Sequence, residues 1–437
     1  MREGVFYFFK LEETNNTVQN MKSYNTIIGA MSVLTITTLA AFAQGEQTIV
    51  EKGALSWQDG ESIFLDRAVA DISSQRGFKP SLGWIGEFWS NVSDGRDISS
   101  MADTLFTLEL EQDLSALIGK DGWGKIGISA FYYAQTNGGQ LGGFDSSQGS
   151  FSNIVAGNMC RVFEIYYHNE FETRFGNMAF RVGQLAADED FMGMDYSDVF
   201  LNSSFGAMPN VAPVNLFSQY NVATLGLVVY YSLGNFDATF GLYNGNIAPD
   251  ISSNNGFDYS HTFDTVAFWY QFGYNYSIGG LSGRAMFGGN YHSDTGKANF
   301  DAFDGGAFYS FFFGIEQALL NDSQGNAKFG VYARVGIVPD SEVSDNNFYA
   351  DFGFNLFSPI PGRTCDVFAA GFSVIENERG ARTSGSAHYE GALEITYRCQ
   401  LTPAIFIQPD FQLFVNPNNR NESGAAYIVG VRAEVIF

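Results

Sequence analysis

Charged side chains within otherwise apolar, alternating segments are the residues of this sequence best suited to chemistry. Arginine and carboxylate groups that face one another can hydrogen-bond the hydroxyl groups of a polar solute. The strongest combination is Arg181 with the acidic run Asp188, Glu189 and Asp190. Further candidates of the same kind are Arg284, Arg334, Glu394, Arg398 and Asp410. For each residue the alternative is a solvated member of a ladder of wall charges.

Residues that could carry catalysis or bind a metal are scattered. The chain has four histidines, at no metal-ligand spacing. It has no Gly-x-Ser-x-Gly nucleophile elbow and no phosphate-binding loop. We therefore expect no enzymatic activity, no metal and no cofactor. The net charge of −24 also argues against nucleic acid as a partner.

The elements that hold the charged residues follow a period of two. From residue 82 onward, about sixteen segments of roughly ten residues alternate in this way, separated by Gly, Asn, Asp and Ser clusters. In Lys328–Ile337, for example, Phe329, Val331 and Val335 share one face, while Arg334 lies on the other. Such alternation fits both a soluble sandwich, with the apolar face on a core, and a membrane barrel, with the apolar face on lipid.

Composition and connection lengths favour the barrel. The chain has 49 Gly, 43 Phe and 22 Tyr, and only 16% of its residues are charged, which suits aromatic girdles at two membrane interfaces. Tight turns are expected near 175–177, 233–235 and 279–280, between much longer connections. Short turns at one end and long loops at the other are typical of outer-membrane barrels. The last predicted strand ends on Phe437.

Residues 1–43 have the features of an export segment. Residues 27–39 are apolar, and residues 41–43 read Ala-Phe-Ala, a small-x-small cleavage site. We expect a cleaved signal peptide, with translation starting at Met1 or Met21. The alternative is a single transmembrane helix, but the apolar stretch is short and rich in Thr.

The remainder divides into a periplasmic segment at 44–80 and a barrel at 81–437. Within the first, apolar residues at helical spacing predict a short amphipathic helix; they are Ile63, Phe64, Ala68, Val69 and Ile72. Within the barrel, the longest connection, 187–222, is rich in both acids and apolar residues. We expect it to fold inward and narrow the channel; the alternative is an external loop packed on its neighbours.

Several motifs resemble the carbohydrate-selective porins of the OprB type. Residues 181–191 read RVGQLAADEDF and residues 200–206 read FLNSSFG. Residues 397–403 read YRCQLTP, followed by QPDFQ at 408–412 and VNP at 415–417. The resemblance extends over about residues 64 to 437. One departure is that the family's Asp-Trp-Gly-Gly signature is missing near the expected mature start.

The resemblance implies a sixteen-stranded channel in the outer membrane that passes small sugars such as glucose. Its partners would be the transported sugar, outer-membrane lipid and, through Phe437, the barrel assembly machinery; a homotrimer is a further expectation. Porins of this fold that pass other small solutes or cations remain an alternative, as does a barrel with a structural or surface-binding role. Cys365 and Cys399 flank two predicted neighbouring strands and could pair.

Overall fold

The structure is a computed structural model of the 437-residue chain. It describes residues 75–93, 99–142, 144–214, 216–247, 263–297, 305–339, 346–377, 387–419 and 424–437, together with Ser62, Leu65 and Phe257. The predicted signal peptide and the residues that predict the N-terminal helix lie outside the described residues.

Sixteen antiparallel strands, each hydrogen-bonded to its neighbours in sequence, close into a barrel in which β1 pairs with β16. The predicted antiparallel barrel and its strand number are confirmed. The strands are β1 (Phe78–Asn91), β2 (Ser99–Asp113), β3 (Lys125–Gln135), β4 (Met159–Thr173), β5 (Gly176–Leu185), β6 (Thr224–Leu233), β7 (Phe236–Asn244), β8 (Val266–Ile278), β9 (Leu281–His292), β10 (Phe308–Asn321), β11 (Ala327–Ile337), β12 (Asn346–Phe357), β13 (Val367–Asn377), β14 (Tyr389–Thr402), β15 (Ile405–Val415) and β16 (Ala425–Ile436).

The period-two pattern separates an outer from an inner face, and β10 shows how. Phe311, Phe313 and Ile315 are exposed, whereas Phe312 and Glu316, on the other face, are buried. Because neighbouring strands are in register, the exposed apolar residues form a continuous outer band. Phe313, for instance, lies opposite Phe287 of β9. An outer face of this kind is suited to hydrocarbon.

Barrel closure joins the first and last strands. Nine consecutive residue pairs, from Gly83↔Ile436 to Asn91↔Ile428, link β1 to β16. Beyond them, the backbone N–H of Phe437 donates to the carbonyl of Leu82 at 2.9 Å. Closure of the sheet satisfies the backbone groups that an open edge would expose.

Connections differ between the two ends of the barrel, as predicted. Tight turns join β4 to β5, β6 to β7 and β8 to β9. The β2–β3 connection at the same end contains a short helix, α1 (Leu114–Ile118), with Asp113 as its N-cap. At the other end, residues 136–158 and 186–223 form the two longest described connections. None of the helices in the described part of the chain has the length and apolar character needed to span a membrane.

Candidate pore interior

The connection between β5 and β6, residues 186–223 (the long connection), contacts inward-facing side chains of distant strands. The N–H of Met192 donates to Gln271 of β8 at 2.9 Å. Asn290 of β9 donates to the carbonyl of Val211 at 2.7 Å. The N–H of Leu201 donates to Glu394 of β14 at 2.6 Å. The long connection therefore makes contacts from β8 to β14, far along the sheet from the strands that it joins.

A second connection, residues 136–158, pairs with the long connection through backbone groups. The N–H of Asn153 donates to the carbonyl of Leu201 at 2.7 Å, and the N–H of Ser203 donates to that of Ser150 at 3.0 Å. Apolar residues of both connections pack against the wall: Phe217 lies 5.0 Å from Trp269, and Phe151 lies 5.3 Å from Trp89, between ring centroids. Both connections therefore pack against inward-facing aromatic residues of the wall.

Arg181, on β5, is at the centre of an ion-pair cluster where the long connection begins. Its guanidinium lies 2.5 Å from Glu164 of β4 and 3.3 Å from Asp190. The same group lies 4.3 Å from the centroid of the Tyr166 ring, and the Tyr230 hydroxyl donates to Asp190 at 2.5 Å. The structure therefore brings Arg181 and Asp190 together, and adds a carboxylate and two tyrosines to them.

The other two acids of the run lie in the same loop but have different surroundings. Asp188 accepts a hydrogen bond from the N–H of Tyr220 at 2.7 Å through one oxygen. Burial raises the pKa of Asp188 to about 7. Burial, and then the negative charge of Glu164 and Asp188, raise the pKa of Glu189 well above its usual range. Burial therefore disfavours the charged form of both carboxyl groups.

Arg334 and Glu394, which the sequence suggests as pore-lining residues, are fully buried. Arg334 pairs with Asp351 and donates to backbone carbonyls of the long connection, including that of Gly206 at 2.8 Å. Glu394 accepts two N–H groups of the same connection. Asp410 is also buried, where one of its oxygens accepts from Gln412 at 2.9 Å. Arg334, Glu394 and Asp410 face inward, but they lie behind other protein groups and present no open surface to a solute.

Two other candidates lie on more open parts of the inner face. Arg284 forms a two-point ion pair with Asp237, at 2.6 and 2.7 Å, and both side chains keep about a quarter of their surface exposed, at 25% and 27%. Arg398 lies 3.3 Å from Glu434 and 4.0 Å from the centroid of the Phe406 ring. The structure does not bring either pair into the cluster around Arg181.

Two inward-facing acids that contact the second connection, Glu87 and Glu390, were not among the predicted pore-lining residues. Glu390 accepts from Ser146 at 2.6 Å and from the N–H of Ser147 at 2.9 Å, both in residues 136–158. Glu87 pairs with Arg432 and accepts from Ser152 at 2.6 Å. Alternation places both acids on the inward face, and this was the signal that could have identified them.

The described residues form neither a metal site nor a disulfide bond. Among them, no group of three or more His, Cys, Asp or Glu residues is arranged to hold a metal ion. Cys160, Cys365 and Cys399 are all free thiols, so the suggested Cys365–Cys399 bond is not formed. Cys399 instead lies 2.9 Å from a guanidinium nitrogen of Arg363.

A closed sixteen-stranded barrel with an apolar outer face and charged pairs on its inner face is the architecture of an outer-membrane porin. A family model described as "Carbohydrate-selective porin, OprB family" matches residues 101–437. The chain belongs to this family, and it is an outer-membrane channel protein.

Solved structures agree with this assignment at the level of the fold. A high-pH structure of Pseudomonas putida OprB is 16% identical, with a TM-score of 0.74, and the match covers 86% of this chain and 99% of that chain. A low-pH structure of Pseudomonas putida OprB is 13% identical, with a TM-score of 0.52, over 84% of this chain and 94% of that chain. A search of curated proteins found no match.

Proposed function

We propose that this porin allows small neutral carbohydrates, monosaccharides such as glucose, to diffuse passively into the periplasm. The observation that supports this most is the cluster of Arg181 with Glu164 and Asp190, flanked by Tyr166 and Tyr230. The paired charges do not favour a charged solute near the constriction, although Arg181, Glu164 and Asp190 keep only 11%, 8% and 4% of their side-chain surface exposed. The half-buried rings of Tyr166 and Tyr230 can stack on the apolar faces of a pyranose.

In this proposal the long connection forms the constriction. Its contacts with strands from β8 to β14 support an inward path, and Asp188, Glu189 and Asp190 then lie beside Arg181 at the narrowest point. Arg284 and Arg398, each paired with an acid and partly exposed, would make weak contacts with the solute along the wall. Weak contacts in series suit a channel, because a solute that binds tightly does not leave.

The test is solute flux into proteoliposomes that contain the purified protein. We expect glucose to enter faster than gluconate or choline, since either charged solute meets repulsion from one member of each pair. Vesicles with heat-denatured protein are the control for leakage. Equal entry of all three solutes would contradict sugar selectivity, and faster entry of choline would favour the alternative of a cation-passing porin.

Two partners also belong to the proposal. Phe437 follows β16, the strand that pairs with β1 to close the barrel, and we expect the barrel assembly machinery to recognise this residue. A homotrimer would need a flat part of the outer face, and the exposed apolar band provides apolar surface for either lipid or a second copy.

A further inference from the structure

The structure assigns Glu394 and Arg334 as a two-sided clamp that positions one turn of the long connection and thereby sets the open cross-section of the channel. The turn is Asn202–Gly206, around the 3-10 turn Ser203–Phe205. This inference rests on the proposed function, because it takes the long connection to be the constriction.

Glu394 holds the beginning of the turn. Its two carboxylate oxygens accept the backbone N–H groups of Leu201, at 2.6 Å, and Asn202, at 2.9 Å. The side chain is fully buried. Because both oxygens act as acceptors, loss of either one would leave a buried backbone N–H without a partner, which is costly. A buried carboxylate is costly unless it is satisfied in this way.

Arg334 holds the end of the same turn. Its guanidinium donates to the carbonyls of Phe205 and of Gly206, the latter at 2.8 Å, and to that of Met192 at 3.1 Å. Asp351, on the neighbouring strand, pairs with it at 2.5 Å and balances its charge. The five N–H groups of arginine suit this task, since one side chain can reach several carbonyls and one carboxylate.

The hydrogen bonds of Glu394 and Arg334 match the polarity of the backbone at the two ends of the turn. An acceptor meets the free N–H groups at the start of the turn, and a donor meets the free C=O groups at its end. The Tyr349 hydroxyl donates to the carbonyl of Ser204 at 2.8 Å, in the part of the turn between the groups bound by Glu394 and those bound by Arg334. Glu394 and Arg334 belong to strands β14 and β11, so the turn is fixed to two separated parts of a rigid wall.

Loss of the hydrogen bonds of either Glu394 or Arg334 should release the turn. The barrel should stay folded, because the backbone hydrogen bonds between its strands do not involve these side chains. In Glu394→Gln, one of the two N–H groups faces an amide NH₂ in place of an oxygen, so one bond is lost and a donor meets a donor. We expect single-channel conductance to rise about twofold, with increased current noise, because the constriction widens and fluctuates. Glu376→Gln, the same change on an exposed side chain of β13, is the matched control and should conduct as the wild type.

A tether distinguishes positioning from a general structural defect. The hydroxyl oxygens of Ser204, in the turn, and Ser373, on β13, lie 3.3 Å apart, so cysteines at these positions can form a disulfide after a small adjustment. In a background where Cys160, Cys365 and Cys399 are replaced by Ser, we combine Ser204→Cys and Ser373→Cys with Glu394→Gln. Conductance should be raised under reducing conditions and return to the wild-type level on oxidation.

The outcomes separate this inference from the proposed function. Wild-type conductance in Glu394→Gln, or raised conductance that persists after oxidation of the cysteine pair, would overturn the clamp. Channels that conduct ions and respond to the tether but do not select sugars would overturn the proposed function and leave the clamp standing. Complete absence of current from folded wild-type protein, checked by heat-dependent migration on gels, would overturn both.

Discussion

Single residues on the inner face of the barrel divide into two groups by exposure. Arg334 and Glu394 are fully buried and hold backbone groups of the long connection. Arg284 and Arg398 pair with acids but keep part of their surface open. A buried charge is tolerated only when partners replace its hydration, and a half-exposed pair keeps some water that a solute can displace. The second group is therefore better placed to contact a solute.

Arg181 is the residue whose charge should matter most for transport. In Arg181→Ala, Glu164 and Asp190 lose the cation between them, so we expect a shift of the reversal potential toward cation selectivity and weaker block of the current by glucose. Bilayer recordings in a KCl gradient measure the first effect, and glucose titration measures the second. Arg174→Ala removes the same charge at an exposed turn and should leave both unchanged. Unaltered selectivity in Arg181→Ala would remove it from the constriction.

The elements of the barrel are held in register by their turns as well as by their ladders. In the turn between β12 and β13, Asp366 accepts from Tyr397 at 2.5 Å and from the N–H of Gln400 at 3.1 Å, and it pairs with Arg363. Burial raises the pKa of the Asp366 carboxyl group, but the hydrogen bonds from Arg363 and Tyr397 outweigh burial and keep its pKa below the usual value. This carboxylate links the turn to β14.

The turn gives a pH-dependent prediction. A depressed pKa means that Asp366 stabilises the folded state at pH values above the unfolded pKa of about 3.9, and that this stabilisation is lost as the pH falls through the lower folded value. At pH 7, Asp366→Asn should reduce the free energy of unfolding by about 1 kcal/mol. Urea unfolding in detergent micelles measures this, and the difference from the wild type should shrink toward pH 3. Asp121→Asn, at an exposed position between β2 and β3, is the control; an unchanged difference at low pH would contradict the role of Asp366.

The whole molecule depends on a closed sheet that faces lipid outside and packed or polar groups inside. The exposed aromatic and aliphatic side chains of neighbouring strands form an outer band because pairing keeps their alternation in register, as it does across β8, β9 and β10. In lipid, every backbone polar group must be satisfied within the protein, and closure between β1 and β16 achieves this at the seam.

Lipid contact can be tested at Phe313, which is 47% exposed in the outer band near the middle of β10. Phe313→Arg should lower the free energy of unfolding by about 2–4 kcal/mol, because a charge in hydrocarbon is costly. Denaturant unfolding in lipid vesicles measures the change, with Phe313→Leu as the apolar control. If the arginine variant were as stable as the leucine variant, Phe313 would face water or protein and the assignment of the outer face would fail.

The amino-acid sequence determined the local part of this architecture. Alternation identified the strands, and the sixteen or so segments predicted from residue 82 onward correspond to β1 to β16. It also placed Arg181, Arg334 and Glu394 on the inward face, because a period of two fixes which face a side chain takes once the strand is known. Turn residues such as Gly234 and Gly279, which adopt positive φ angles of 59° and 63°, marked the ends of strands for the same local reason.

What covers the inward face was decided only by the tertiary structure. Glu394 and Leu201 are 193 residues apart, and nothing in the local pattern of either one indicates their contact. Their meeting depends on closure of the sheet, which fixes β14 opposite the path of the long connection. A period of two can state that a side chain points inward, but the distinction between an open wall and a buried clamp requires the position of every neighbouring segment.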